Sequence, residues 1–285
     1  MKFSLYLYRV SYKQQIQMAR IIFLGTAGSN SVLARNLRSS GGIIVQLDEL
    51  QLHLDPGPGA LSQAAKYGVN LRNNTAVLVT HKHLNHCNDL NLVVETMSYS
   101  GLERRGVLLA SKSVVRNVEE EHPFLTRYHQ NFLEKIIVME KGSKVGVELV
   151  EINSLPVEHK DPHAIGFKLF FPKFVLSYTG DTAYNEELVD ELAGTDILIL
   201  NVPYPGKEGK GLNLDTESAI KIISKVRPKL VVLTHFGLEM LKADPIQEVR
   251  EIQRVTGVQT VAAKDGLTLV PGSYNMSHSP VKGYY

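Results

Sequence analysis

A four-layer αββα sandwich is the fold class this sequence predicts, and three observations predict it. Short apolar runs rich in Val, Ile and Leu recur throughout the 285 residues, at the length of buried strands. Hairpin-like spacing of these runs dominates the early chain and strand-helix alternation the later chain, so a purely parallel, doubly wound sheet does not fit. Helix-compatible stretches lie between the runs, which places helices on the outer faces of two sheets packed face to face.

Strands are expected at 21–24, 42–47, 50–54, 76–80, 107–110, 136–139, 145–150, 165–171, 174–178, 197–200, 230–234 and 267–270. Helical periodicity covers 58–67, 88–100, 215–226 and 244–256. The last of these has Asp244 placed to cap it, Pro245 in the first turn and Gly257 just past the end, which is the ordinary punctuation of a helix. Asp215 is a second N-cap candidate, with Glu217 in the first turn, where the helix dipole favours negative charge.

One large domain over 21–271 accounts for the core, with residues 1–20 as an N-terminal extension and 272–285 as a turn-rich tail. Residues 3–10 alternate like a short strand and lack the long apolar core of a secretory signal. Lys and Arg total 31 against 29 for Asp and Glu, so no global charge draws the chain to nucleic acid or anionic lipid. Cys87 is the single cysteine and cannot form an internal disulfide, which points to a reducing compartment and a cytoplasmic protein. No apolar run approaches the roughly 18 residues of a membrane span.

Residues 80–86 read Thr-His-Lys-His-Leu-Asn-His, directly after an apolar run. Histidine at this density suits a transition metal. Side chains at strand ends project into the loop layer where sites collect, and further strand ends deliver His159, Asp181 and His235. With His81, His83 and His86 the set holds five histidines and one carboxylate, enough for two divalent metals.

On these residues the chain resembles the metallo-β-lactamase-fold hydrolases. The resemblance is carried by Phe23-Leu-Gly-Thr-Ala-Gly-Ser29, Leu54-Asp-Pro-Gly-Pro-Gly59, the cluster at 81–86, His159 with Pro162 and Gly166-Phe167, Ser177-Tyr-Thr-Gly-Asp-Thr182, Leu233-Thr-His235 and Ala263-Lys-Asp-Gly266, in the family's order over about residues 21 to 270. It implies that His81, His83 and His159 hold a first metal, that His86 and His235 hold a second, and that Asp181 bridges them. It implies a metal-activated water as nucleophile, with one or two divalent ions, zinc foremost and manganese or iron as alternatives. Asp55 matches a buried acidic residue supporting a ligand from beneath. His163 is a rival to His159, because the spacing to Gly166 is one residue longer than in close relatives. Asn85 stands where the family's His-x-His-x-Asp-His motif has a catalytic carboxylate. An asparagine offers a neutral amide and no base, so the second metal is expected to bind more weakly.

The branch that the chain most resembles contains the transfer-RNA 3′-end endonucleases and related phosphodiesterases. Two features depart from the endonuclease: the stretch Asn213-Leu-Asp-Thr-Glu-Ser-Ala219 lacks the histidine of its His-x-x-Glu-Ala-type segment, and no long basic arm is evident. The expectation is a metal-dependent hydrolase acting on a small-molecule or other phosphodiester, with lactone, thioester or other acyl substrates as the alternative. A metal-binding regulatory or scaffold protein with a degenerate site is the reading from another class. Nucleic acid and a homodimeric partner stay open, and a membrane partner is not expected.

Cys87, next to His86, is read as a small buried hydrophobe rather than a ligand, and His53, His122, His129 and His278 as structural or surface residues. Gly25-Thr-Ala-Gly28 lacks the third glycine and acidic position of a nucleotide fingerprint and reads as a tight turn near the site. The loop 201–213, with three glycines, two prolines, Lys207 and Lys210, reads either as a cover for an anionic substrate or as a solvated loop.

Overall fold

The computed structural model describes residues 19–120 and 122–272; the expected extension, except its last two residues, and the tail beyond 272 lie outside them. The first sheet opens with three antiparallel strands, β1 (Ala19–Phe23), β2 (Ile43–Leu47) and β3 (Leu50–Leu54). It then turns parallel through β4 (Ala76–Val79), β5 (Val107–Ser111) and β6 (Lys135–Met139). The second sheet begins antiparallel, with β7 (Lys144–Val147), β8 (Val150–Pro156), β9 (Ile165–Phe170) and β10 (Val175–Tyr178). It continues parallel into β11 (Ile197–Asn201), β12 (Leu230–Thr234) and β13 (Thr260–Ala262). The chain then returns to the first sheet as β14 (Thr268–Leu269), against β1. Among the described residues each sheet has seven strands.

Three apolar clusters define four layers. The innermost joins the facing sides of both sheets through Phe23, Leu52, Leu78, Phe167, Leu169 and Ile199. Residues one position along the same strands face outward: Ile22, Val77 and Leu108 pack under Ala60–Lys66 and Leu90–Met97, and Leu198, Leu200 and Leu233 pack under Glu186–Glu191, Thr216–Val226 and Pro245–Thr256. Strands buried on both faces become continuous apolar runs, which is why they are conspicuous in the sequence.

The expected single strand at 145–150 is instead a hairpin. Glu148 takes a left-handed φ of 51° between β7 and β8, and β8 extends to Pro156. The alternating Glu151-Ile-Asn-Ser154 lacks the apolar density of a doubly buried strand, so the continuation was silent in the pattern. The expected helix at 88–100 contracts to Leu90–Met97, because Tyr99, Ser100 and Gly101 all adopt positive φ. Strand β13 and the helices Asn30–Ala34, Glu186–Glu191 and Leu238–Ala243 carry no sequence expectation; each is too short to establish a period.

Candidate metal centre

The strand ends of both sheets meet at one edge of the sandwich. His81 follows β4, Asp55 follows β3, His159 follows β8, Asp181 follows β10, and His235 follows β12. Asp55 and His235 hold left-handed φ values of 50° and 63°, conformations uncommon for residues with a Cβ and concentrated at functional sites.

Two groups of donor atoms converge there. His81, His83, His159 and Asp181 form one, His86, Asp181 and His235 the other, and within each the donor atoms lie within 4.8 Å of one another. His81 Nε2 and His159 Nε2 approach His83 Nδ1 at 2.9 and 3.1 Å. His86 Nε2 and His235 Nε2 are 3.0 Å apart. Asp181 belongs to both groups, with its Oδ2 3.4 Å from His86 and 3.9 Å from His159, and its Oδ1 3.4 Å from His235. His163 belongs to neither group and lines a separate pocket with Lys112 and Met139. Asn85 joins the second group, its amide Nδ2 2.8 Å from His235 Nε2.

Hydrogen bonds fix which imidazole nitrogens face inward. Thr80 donates its hydroxyl proton to Asp55 Oδ2 at 2.8 Å, so its oxygen accepts from His81 Nδ1–H at 2.9 Å and leaves the Nε2 lone pair aimed into the cluster. His159 Nδ1–H donates to the Leu212 carbonyl at 3.1 Å, with the same consequence. Two inward lone pairs therefore confront His83 Nδ1, which can donate to only one of them. The donor set fits a divalent cation, and the buried Nδ1 of His235 has no hydrogen-bond partner.

Asp55 lies beneath the site, as expected of a supporting carboxylate. Its Oδ1 accepts the Thr80 backbone N–H at 2.7 Å, and its Oδ2 accepts from Thr80, His86 Nδ1 and the Tyr178 hydroxyl at 2.8 Å each. Asn201 donates to Asp181 Oδ1 at 2.7 Å and to Tyr178 at 3.3 Å. Sequence reasoning missed the roles of Thr80, Tyr178 and Asn201; each ends or nearly ends a core strand, the one signal that was available. Asp161 is a further omission: it accepts from Ser113, the Lys82 N–H and the His163 N–H, tying the His159 loop to the His81–His83 segment.

Burial and charge set the protonation of the cluster. Burial opposes the His86 imidazolium, but Asp181 and Asp55 outweigh it and raise the pKa to about 10. Burial also acts on His235, and there Asp181 compensates only in part, leaving it at about 4. His81 is held well below its ordinary value by burial and by neighbouring His86, and His83 is lowered by burial and His159. Burial alone would raise the Asp181 pKa; His235 and His86 override it and hold the carboxyl well below the usual range. A bound divalent metal would take the place of the His86 proton.

Cys87 is fully buried, its thiol donating to the Lys82 and His83 carbonyls at 3.2 and 3.4 Å. Burial pushes its pKa up, the opposite of a metal-ligating thiol. Gly28 abuts His235, where a Cβ would fall 1.9 Å from the His235 carbonyl oxygen, so the glycine turn is a close backbone approach. A cleft of about 350 Å³ opens onto the donor groups, lined by His83, Asn85, His159 and Asp181 and by Ser29, Ser31, Lys160, Tyr204, Asn213 and Glu239, among others. The loop 201–213 reaches it through Tyr204 and Asn213, whereas Lys207 is turned to Glu217 at 2.9 Å. No helix among the described residues is long and apolar enough to cross a membrane.

Residues 51–236 match the family model described as the beta-lactamase superfamily domain. The uncharacterized protein MJ1374 of Methanocaldococcus jannaschii is 31% identical over 89% of this chain and 96% of its own. The ribonuclease Z of Sulfolobus acidocaldarius is 21% identical over 82% of this chain and 94% of its own. In backbone, the metallo-beta-lactamase fold protein YhfI from Bacillus subtilis superposes with a TM-score of 0.73 over 89% of this chain and 99% of that one, at 15% identity. This chain belongs to the beta-lactamase superfamily and has the metallo-beta-lactamase fold.

Proposed function

We propose that this protein is a metal-dependent phosphodiesterase acting on a small polar substrate. The observation that carries the proposal is the pair of donor groups sharing Asp181 at the floor of a polar cleft. His81, His83, His159 and Asp181 would hold one ion, and His86, His235 and Asp181 the other. Zinc is the leading metal, since imidazole and carboxylate are its usual oxygen and nitrogen donors. Such an ion supplies Lewis acidity and lowers the pKa of bound water from about 15.7 to about 7.

The chain's own residues do the positioning. Asp55 fixes His86 and, through Thr80, His81; Asn201 fixes Asp181. Asp181 and Asn85 are the groups that orient the attacking water, and of these only Asp181 carries charge. Asn85 contributes an amide donor and acceptor and takes no proton. Lys160 offers a cation to a phosphoryl oxygen, and Ser29, Ser31, Tyr204 and Asn213 offer hydrogen bonds to polar leaving groups. Pro203 is the one aliphatic side chain in the lining, which gives a long acyl chain little to bury against. Glu239 on the rim repels a second phosphate, favouring a short substrate over RNA. The lone, buried Cys87 agrees with a reducing, cytoplasmic setting.

The test is metal content together with hydrolysis of bis(p-nitrophenyl) phosphate. Zinc-dependent turnover abolished by His83→Ala is the expected result. Turnover of thioesters or lactones without phosphodiesters replaces the substrate class with the acyl alternative. One metal per chain and no turnover of any of the three gives the scaffold reading.

A further inference from the structure

The segment 203–215, which the proposed activity uses only as a cleft wall, is built as a fixed strap. Asp215 sits at its C-terminal end, buried, and its two carboxylate oxygens serve different partners: Oδ1 caps helix Thr216–Val226 by accepting the Ser218 N–H at 2.8 Å, and Oδ2 accepts the Gly209 N–H at 3.0 Å. From the other side Glu248 accepts from the Gly206 N–H at 3.2 Å and from the Thr216 hydroxyl. Inside the strap Asn213 Nδ2 donates to the carbonyls of Lys210 and Gly211 at 3.1 and 3.2 Å. These bonds hold Leu212 at a left-handed φ of 60°, the conformation in which its carbonyl accepts from His159 Nδ1–H at 3.1 Å. The strap thus ends on a histidine that faces the first group of donor atoms.

We propose that the strap pinned by Asp215 positions His159, and that this contact sets how tightly His81, His83 and His159 hold their metal. Carbonyl acceptance at Nδ1 fixes both the tautomer and the orientation of a ligating imidazole, and losing such a partner costs about 10- to 100-fold in metal affinity. The strap also carries Tyr204 and Asn213 into the cleft, so the same element that forms the substrate wall holds the metal-facing histidine. Asp215 is in this sense a positioning residue: it touches neither metal nor substrate. The inference rests on the reading that His159 holds a metal.

Asp215→Ser separates the two duties of the carboxylate, because serine caps a helix about as well as aspartate but has no second oxygen for Gly209. The full-length protein is loaded with zinc and the tight site titrated against a chromophoric chelator; in parallel the cobalt-substituted protein is examined for its d–d absorption. The expected result is a tenfold or greater loss of zinc affinity and an altered cobalt spectrum, with thermal stability close to the parent. Asn213→Ala, which loosens the strap without touching the helix cap, gives the same direction and serves if Asp215→Ser does not fold. Thr126→Ala removes the N-cap of the short helix Arg127–Gln130, which contributes no residue to the donor groups or the cleft, and leaves zinc affinity unchanged. Unchanged affinity and spectrum in both strap variants overturn the inference. His159→Ala tells the two failures apart: if it too leaves zinc affinity unchanged, the underlying assignment of His159 to the metal is what fails.

Discussion

Asn85 places a neutral amide 2.8 Å from His235 Nε2, at the edge of a donor group with Asp181 as its one carboxylate. Restoring a charge there strengthens the attraction for a dication at ligand range. Asn85→Asp is therefore expected to raise metal content at limiting zinc from about one toward two ions per chain, and to tighten the second by at least about tenfold. Equilibrium dialysis with elemental analysis reads both, and an unchanged stoichiometry contradicts the weak second site. His53 offers a test of buried charge away from the metal. Burial lowers its pKa to about 4, against smaller opposing effects of the Gly41 hydrogen bond and of Asp55 and Asp89. Its contribution to stability is complete above the unfolded value near 6.5 and is lost as pH falls toward 4. The loss is about 3 kcal/mol. His53→Gln can keep the bond to the Gly41 carbonyl without titrating, so urea unfolding from pH 7 to 4 should show a correspondingly shallower loss. At this scale the histidines and Asp181 were legible because their residue types are rare at strand ends. Thr80, Tyr178 and Asn201 were not, because threonine, tyrosine and asparagine are ordinary in strands and turns and acquire roles only from neighbours remote in sequence.

Among the elements, the turn after β1 is the least tolerant. Gly28 has the His235 carbonyl where a Cβ would stand, and Asp265 fixes the same turn by accepting from the Thr26 hydroxyl at 2.7 Å and the Ser39 N–H at 2.6 Å. Gly28→Ala must push β12's end away from the donor cluster. The expected cost is about 1–3 kcal/mol in chemical denaturation, with loss of metal from the second group; retention of both metals at full affinity counts against this account of the turn. The long helices were readable from their period and punctuation, and Asp215 and Asp244 do cap them by accepting from Ser218 and Ile246. The short ones and the β7–β8 hairpin were not, since four to six residues do not sustain a period and the turn at Glu148 uses a positive φ without a glycine.

For the whole molecule, the inner layer between the sheets is what brings the strand ends together. Phe167 is fully buried at its centre, and Phe167→Ala should cost about 3–5 kcal/mol in urea unfolding while leaving zinc stoichiometry intact below the transition. Removing metal acts on the same balance from the site. Because an ion bound only by the folded chain stabilises it by mass action, a free zinc concentration 1,000 times the dissociation constant adds about 4 kcal/mol relative to chelator-treated protein. Calorimetry with and without chelator measures the difference, and coincident melting curves would argue against a zinc site in the folded protein. The sequence by itself determined the layers and the chemical character of the site, because burial on both faces writes strands as apolar runs and because metal-binding side chains are placed at their ends. Only the tertiary structure decided that His159 rather than His163 faces the other histidines, that Tyr178 bonds Asp55 and Asn201 holds Asp181 in place, and that the 203–215 segment closes onto His159. Those outcomes depend on contacts between residues remote in sequence, such as Asp55 and Tyr178, 123 positions apart, whose geometry is set by how two sheets pack and leaves no local mark on the chain.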